Sequence, residues 1–309
     1  MRYTTLDIQT LSTDKIHTLY GKIYIPIGTP KATLQIIHGM SEHMELYNEF
    51  MSKLAENGYV VLIHDQLGHG KTAGGIDKLG FFAAKNGDAL LIQDAYLFAN
   101  KFLSEYSGLK RILLGHSMGS FIARICCEEY PDMCDLLILL GTGGHQKTSA
   151  LGLALTQAAG VVHNEEYRSE PAQKLFFDFC NILFRDDKNK YAWTTRDINV
   201  QKQHIDDKYY NFVFSVKAMN DVVMLSTECN TEEWYNNIRK DLPILILSGE
   251  KDPVGEYGKG VFDVYRKLHI LGSEDVYFKL YGECRHELLH EENKEDVIND
   301  ILKWISNRI

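Results

Sequence analysis

The feature that most constrains the fold of this chain is a Gly-x-Ser-x-Gly pentapeptide at residues 115–119, with Ser117 at its centre. An apolar run, 111–114, precedes the pentapeptide, and a helical pattern, 120–130, follows it. A strand, a sharp turn and a helix are the context in which such a serine stands exposed above a sheet as a nucleophile. Chance would give this pentapeptide about once in ten chains of this length. The flanking strand and helix favour the nucleophile.

Two further polar residues follow buried-type strands downstream, in the order acid and then histidine. Asp252 lies in a turn cluster after the apolar run 242–248, and His286 follows the next strand candidate, 276–280. A loop aspartate is usually a solvated turn residue. Open α/β sheets, however, bind ligands at the carboxyl ends of their strands. The order Ser, Asp, His therefore predicts a catalytic set at one sheet edge.

The three residue types match what activation of a serine requires. An imidazole removes the hydroxyl proton, and a carboxylate on the other ring nitrogen fixes the tautomer and stabilises the imidazolium. We assign Ser117 as nucleophile, His286 as general base and then acid, and Asp252 as the orienting carboxylate. The backbone N–H groups of Met40 and Met118 are the predicted oxyanion-hole donors, each worth about 2.7–4 kcal/mol.

Residues 286–290 also match H-E-x-x-H, the zinc-protease signature. That interpretation needs His286 and His290 on one face of a helix, together with a third protein ligand. The metzincin extension fails, because position 293 is Asn and no histidine follows. The sequence given ends at Ile309, too early for the distant glutamate of other zinc peptidases. No metal is therefore predicted, and His290 is expected at the surface or at a helix start.

Five segments around these positions match one known group of enzymes. They are His38-Gly39-Met40-Ser41-Glu42-His43, His64-Asp65-x-x-Gly68-His69-Gly70, 114–119, Ser248-Gly249-x-x-Asp252 and 281–286. On these residues the chain resembles the monoacylglycerol lipase and lysophospholipase group of the α/β-hydrolase superfamily, which includes serine aminopeptidase-like relatives. The resemblance covers residues 1–145 and the last 70 or so. Ser120 stands where the group often has a second glycine, a departure that leaves the triad in place.

The resemblance implies an α/β-hydrolase fold and cleavage of a monoacylglycerol, a lysophospholipid or a similar acyl ester through an acyl-enzyme, without a cofactor. It places His38, Gly39, Glu42 and His116 at the substrate-binding site, although the simplest role for His38 is to hold the loop. A small-ester esterase or a serine aminopeptidase would use the same triad. A non-catalytic binding protein of this fold usually lacks a triad member, and none is missing here.

Apolar patterns along the rest of the chain predict a mostly parallel, eight-stranded sheet flanked by helices. Candidate strands are 6–12, 19–25, 33–37, 60–63, 112–114, 136–140, 244–247 and 276–280, the first two antiparallel, and candidate helices lie near 46–57, 88–106 and 297–305. Strands that alternate with helices form parallel sheets with right-handed crossovers. The hydrolase core is therefore predicted at residues 1–143 and 242–309.

Residues 144–241 interrupt this alternation and are predicted to form a helical cap, inserted after the sixth strand. The segment is too long for a crossover loop, and helices are expected at 150–162, 172–184 and 212–225. Its aromatic residues line an acyl pocket or form the cap's own core: Phe176, Phe177, Phe179, Phe184, Tyr209, Tyr210, Phe212 and Phe214. A peptidase would instead use a fixed negative charge for the substrate's amino terminus, available from Glu165, Glu166, Glu170 or Asp178.

Charge and composition limit the partners of this chain. A net charge of −9 and a pI near 5.7 argue against nucleic acid, which needs a basic face, and leave at most transient membrane contact through the cap. Six cysteines without paired spacing indicate reduced thiols, and Cys284 is expected near the site. No secretory signal or membrane-spanning run is visible. We expect a cytoplasmic enzyme with a small lipid or acyl-ester substrate, and the oligomeric state stays open.

Overall fold

The computed structural model of the chain describes residues 2–144 and 164–309. Within these residues one eight-stranded sheet runs through the molecule. Its strands are β1 (Tyr3–Leu11), β2 (Thr18–Pro26), β3 (Ala32–Ile37), β4 (Tyr59–His64), β5 (Lys110–His116), β6 (Leu136–Leu140), β7 (Ile244–Gly249) and β8 (Val276–Tyr281). The spatial order is β1-β2-β4-β3-β5-β6-β7-β8. Strand β2 is antiparallel to both of its neighbours, and the other pairs are parallel.

Helices cover both faces of this sheet. The core helices are α1 (Asn48–Glu56), α2 (Gly87–Leu103), α3 (Met118–Glu129), α8 (Lys259–Ile270) and α9 (Lys294–Ser306), and the cap helices are α4 (Glu170–Cys180), α5 (Ile198–Asp206), α6 (Val216–Glu228) and α7 (Glu232–Asn237). Residues of α1 and α9 belong to one apolar cluster, and residues of α2, α3 and α8 belong to another. None of the described helices is long and apolar enough to cross a bilayer.

The central strands are apolar throughout because both of their faces are covered. All five residues of β6 are buried. Leu137 and Leu139 pack into the cluster that contains α3, whereas Leu136, Ile138 and Leu140 pack into the cluster that contains α1. Side chains alternate between the two faces of a strand, so a strand covered on both faces must be continuously apolar.

The predicted α/β-hydrolase architecture is confirmed, because all eight strands form within a few residues of their predicted positions and the cap helices lie between β6 and β7. The helix predicted at 212–225 begins only at Val216, since the Ser215 side chain accepts the N–H of Ala218 as an N-cap. Helices α5, α7 and α8 were not predicted, although the N-caps of α5 and α7, Asp197 and Thr231, were available as signals. The helix predicted at 150–162 lies outside the described residues.

Candidate active site

Ser117 occupies a strained turn between β5 and α3. Its backbone angles are φ 51° and ψ −122°, a conformation that non-glycine residues rarely adopt. The neighbouring glycines are required by close packing: a Cβ at Gly115 would collide with the carbonyl of Gly119, and a Cβ at Gly119 would collide with the carbonyl of Ile37. The predicted sharp turn with a partly exposed serine at its apex is therefore present.

Asp252 and His286 meet beyond the ends of β7 and β8. The Nδ1 atom of His286 lies 2.9 Å from Oδ1 of Asp252. The same carboxylate accepts the backbone N–H of Val254 at 2.8 Å and the hydroxyl of Ser248 at 3.2 Å. Asp252 is completely buried and His286 is 2% exposed. These contacts fix the carboxylate and leave Nε2 of the imidazole facing away from it.

The imidazole of His286 faces the cavity that Ser117 also lines. The ring centroid of Trp193 lies 5.0 Å from that of His286, and the ring centroid of His116 lies 4.8 Å away. Gly141, at φ 56°, supplies the room, since a Cβ there would lie 3.0 Å from Cε1 of His286. The structure thus places Ser117 and His286 at the wall of one cavity and Asp252 in contact with His286.

Both predicted oxyanion donors border the same cavity. Met40 and Met118 line it, and neither backbone N–H has an acceptor among the described residues. The N–H of Gly39 donates instead to the Glu42 carboxylate. Met118 is also the first residue of α3, whose N-terminus carries a partial positive charge. Two unused donors thus border the space beside the serine.

Glu42 and His116 form a buried ion pair that lines the cavity. Oε1 of Glu42 lies 2.9 Å from Nδ1 of His116, and Oε2 accepts the hydroxyl of Tyr47 at 2.8 Å. Burial alone would lower the pKa of His116, but the Glu42 charge outweighs burial and raises it to about 9. Burial likewise opposes ionisation of Glu42, yet His116 brings its pKa down to about 2. The pair is therefore charged at neutral pH.

We expect the thermal stability of the protein to fall as the pH rises from about 6.5 to about 9. The pKa of His116 is raised in the folded state to about 9, so its stabilising contribution is complete below its ordinary pKa of about 6.5. That contribution is lost as the pH rises through the folded-state pKa. A shift of this size corresponds to about 3 kcal/mol of unfolding free energy.

Calorimetric melting temperatures measured across this range check the expectation, with His116→Gln as the comparison. The variant should be less stable at neutral pH and show a flatter decline. Equal slopes for the two proteins would contradict the assignment.

His38 and Gly39, two of the predicted substrate-binding residues, do not line the cavity. His38 is fully buried. Its Nε2 accepts the N–H of Gln66 at 3.0 Å, and its Nδ1 lies 2.9 Å from the carbonyl oxygen of Gly39. Burial moves the pKa of His38 well below its ordinary value, so the ring is neutral and donates from Nδ1. Those contacts hold the loop, which is the simplest role that the sequence indicates.

The cavity has a volume of about 980 Å³, counting its open mouth. Its apolar wall is formed mainly by Phe121, Phe176, Phe177, Phe179, Tyr191, Trp193, Val222, Val223 and Val254. Of the eight predicted cap aromatics, Phe176, Phe177, Phe179 and Tyr210 line it, whereas Phe184, Tyr209, Phe212 and Phe214 do not. Trp193 lies in a loop, where no periodicity marks a buried face, and sequence analysis missed it.

Three sequence expectations near the site require correction. Cys284 is buried, and its thiol donates to Oδ1 of Asn293 at 3.0 Å. It does not line the cavity, whereas Cys180 does. His290 is half-buried at the end of a 3₁₀ turn, neither fully exposed nor at a helix start, and its Nδ1 lies 2.9 Å from the Glu287 carboxylate. The acidic cap residues considered for a peptidase are exposed and do not line the cavity: Glu165, Glu166, Glu170 and Asp178.

The H-E-x-x-H segment does not form the helix that a zinc peptidase needs. Residues 288–290 make a single 3₁₀ turn, and Nδ1 of His286 faces Asp252. A different set, His204, Glu287 and His290, brings its potential metal-ligand atoms within 4.8 Å of one another. Nε2 of His204 and Nδ1 of His290 both lie 2.9 Å from Oε2 of Glu287. These contacts join the three side chains in one hydrogen-bonded network.

The chain is similar to one protein family and to several named proteins. The family model described as "Serine aminopeptidase, S33" matches residues 28–293. A monoglyceride lipase of Rattus norvegicus is 27% identical over 297 residues, which cover 94% of this chain and 88% of the lipase. A monoglyceride lipase homolog of Monkeypox virus is 26% identical, with 94% of this chain and 95% of that protein covered.

Among solved structures, a thermostable carboxyl esterase of Bacillus coagulans, crystallised with glycerol, superposes with a TM-score of 0.92. It is 25% identical to this chain, and the alignment covers 98% of each protein.

Proposed function

The chain belongs to the serine aminopeptidase S33 family of α/β-hydrolases, and we propose on that premise that it is a serine hydrolase that cleaves monoacylglycerols or similar single-chain acyl esters. The observation that carries the proposal is the Asp252–His286 hydrogen bond at the wall of an apolar cavity that Ser117 shares. The named relatives, which are monoglyceride lipases, support the same substrate class.

In the proposed mechanism the hydroxyl of Ser117 attacks the ester carbonyl while Nε2 of His286 takes its proton. Asp252 keeps the other ring proton on Nδ1 and stabilises the imidazolium. The N–H groups of Met40 and Met118 stabilise the oxyanion of the tetrahedral intermediate. His286 then protonates the leaving alcohol, and a water molecule, activated by the same imidazole, releases the fatty acid from the serine.

The two ends of the substrate would meet different parts of the cavity wall. Ser41, Glu42 and His116 line the cavity with donors and acceptors, which suit the hydroxyl groups of a glycerol. The aromatic and valine side chains suit an acyl chain, because apolar walls with a few polar groups are the usual lining of such pockets. We take residues 144–241 as the cap that completes this pocket.

A peptidase on the same triad is the second candidate, and the charges in the cavity disfavour it. A free amino terminus would need an unpaired carboxylate beside the triad. Among the described lining residues the carboxylates are Glu42 and Glu287. Glu42 is paired with His116, and Glu287 is paired with His204 and His290. An uncharged ester is therefore the better match.

Apolar side chains on the outside of the cap support transient contact with lipid. Five of them on and after α4 are exposed: Leu175, Phe176, Phe179, Ile182 and Leu183. Phe176 and Phe179 also line the cavity, so the exposed surface is continuous with the proposed acyl pocket. We place the enzyme in the cytoplasm, since all six cysteines are free and buried, as suits a reducing compartment.

Fatty-acid release from a chain-length series of monoacylglycerols tests the proposal, with lysophosphatidylcholine assayed alongside. Because the cavity wall is mainly apolar and continues into the exposed apolar side chains of α4, we expect release to rise with chain length and to peak at a long acyl chain. Activity confined to the shortest esters would keep the triad and discard the lipid substrate. Release from aminoacyl amides in place of esters would favour the peptidase.

A further inference from the structure

Glu287 follows His286 directly in the chain and is 3% exposed. Its Oε1 accepts the hydroxyl of Tyr210, and its Oε2 lies 2.9 Å from Nε2 of His204 and from Nδ1 of His290. The rings of His204 and Tyr210 stack in parallel with centroids 3.8 Å apart. His204 and Tyr210 belong to the cap, whereas His290 belongs to the core. One buried carboxylate thus joins cap and core beside the proposed base.

The backbone around Glu287 is bound by the same part of the cap. The N–H of Glu287 donates to the carbonyl of Thr194 at 2.7 Å, and the N–H of His286 donates to the carbonyl of Trp193 at 3.4 Å. The indole of Trp193 also packs against the imidazole of His286. The segment that carries the proposed base is therefore held by the cap through backbone, side chain and ring contacts.

Glu287 and His290 carry opposite charges in this network. Nδ1 of His290 faces Glu287, and Nε2 lies 3.2 Å from the carbonyl oxygen of Leu46. A neutral imidazole donates from only one nitrogen, so two acceptors indicate an imidazolium. Burial would lower the pKa of His290, but the Glu287 carboxylate outweighs it and raises the pKa. Removal of one partner from such a pair leaves an uncompensated buried charge, which is strongly destabilising.

From these contacts we propose that Glu287 is a positioning residue that locks His286 in its proton-transfer geometry by binding the docked cap. The role rests on the proposed function, because it takes His286 as the general base. The cap is then part of the catalytic geometry and not only a cover. Displacement of a catalytic group by about 1 Å can cost about 10²-fold in rate, so small movements of this backbone are enough to matter.

Two substitutions, which weaken the contacts of Glu287 to different degrees, test the proposal. Glu287→Gln keeps the side-chain shape and removes the charge, and Tyr210→Phe removes one donor while it keeps the ring in the cavity wall. We expect kcat to fall by about 10- to 100-fold in the first variant and several-fold in the second, with KM nearly unchanged. The factor should be the same for a short and a long acyl ester, because the apolar wall is untouched.

A second readout does not depend on the substrate. The rate at which a fluorophosphonate labels Ser117 should fall in parallel with kcat, since labelling needs the same activated hydroxyl. Failure of the proposed function would show in the wild-type protein, which would then not cleave monoacylglycerols. Failure of the positioning role would show only in the comparison of variant and wild-type labelling rates.

The matched control is Asp207→Asn, which, like Glu287→Gln, converts an acid that joins cap and core into an amide. Asp207 lies 2.9 Å from Nε2 of His43 and so joins cap and core at a different place. This variant should keep the wild-type kcat and labelling rate, even if its melting temperature falls. A loss equal to that of Glu287→Gln would overturn the proposal, since any weakening of the cap would then have the same effect.

Three other results would overturn the positioning role. Wild-type kcat and labelling rate in Glu287→Gln would leave Glu287 a stability residue, whatever its melting temperature. If Glu287→Gln does not fold, a wild-type kcat and labelling rate in Tyr210→Phe would likewise overturn the positioning role. Stoichiometric zinc in the purified protein, absent from His204→Gln, would make the carboxylate a metal ligand instead.

Discussion

Replacement of Ser117 by alanine is expected to abolish ester turnover and to leave the fold intact. The hydroxyl is the proposed nucleophile, and loss of the nucleophile in a serine enzyme costs about 10⁶-fold in kcat. Alanine keeps the Cβ atom, so packing around the turn is unchanged. Fatty-acid release, a fluorophosphonate label and the melting temperature measure the effect. Turnover above one-tenth of the wild-type rate would remove Ser117 from the mechanism.

Ser117→Gly sharpens that test by separating the chemistry from the strain. The serine backbone at φ 51° and ψ −122° is disfavoured for a residue with a side chain, at a cost of about 1–3 kcal/mol. Glycine adopts such a conformation readily. We therefore expect Ser117→Gly to be inactive and yet to melt at a higher temperature than Ser117→Ala. A lower melting temperature would show that the turn is not a store of strain.

Asp252→Asn is expected to lower kcat by about 10⁴-fold with little change in KM. The carboxylate accepts the Nδ1 proton of His286 at 2.9 Å. An amide supplies no charge to stabilise the imidazolium, and its own N–H groups favour the tautomer with the proton on Nε2. That tautomer cannot take the proton of Ser117. Steady-state kinetics with a soluble ester measure the loss.

The matched control for this variant is Asp94→Asn, another buried acid changed to an amide. Asp94 accepts the hydroxyl of Ser12 and the N–H of Thr13, both at 2.7 Å, and does not line the cavity. Its replacement should lower the melting temperature and leave kcat unchanged. If Asp252→Asn behaved like this control, the orienting acid would have to be another residue.

The sequence placed the candidate triad because its members follow strands. Each of Ser117, Asp252 and His286 comes after an apolar run of strand length, and parallel strands end at the same sheet edge. Residues far apart in the chain could therefore be predicted to lie close together without any knowledge of the loops. The same reasoning predicted the eight strands within a few residues, because a continuous apolar run bounded by turn signals is a local pattern.

The cap was predicted as a whole and only partly in detail. Its existence followed from the length of chain without strand alternation, whereas its contacts depend on how helices and loops dock. Trp193 and Tyr191 lie in irregular segments, and no spacing indicates that they border the cavity. Glu287 appeared as part of a zinc motif, and only its contacts with His204 and Tyr210 support the positioning role that we propose for it.

The sequence alone thus determined the sheet, the order of the triad candidates and the presence of a cap, since each follows from local patterns of apolar and turn-forming residues. Tertiary structure alone decided which carboxylates are paired, which aromatic side chains border the cavity and how the cap holds the segment around His286. Those properties arise from contacts between residues that are distant in the chain, such as Glu287 with His204 or Glu42 with His116. No local pattern encodes the geometry of such contacts.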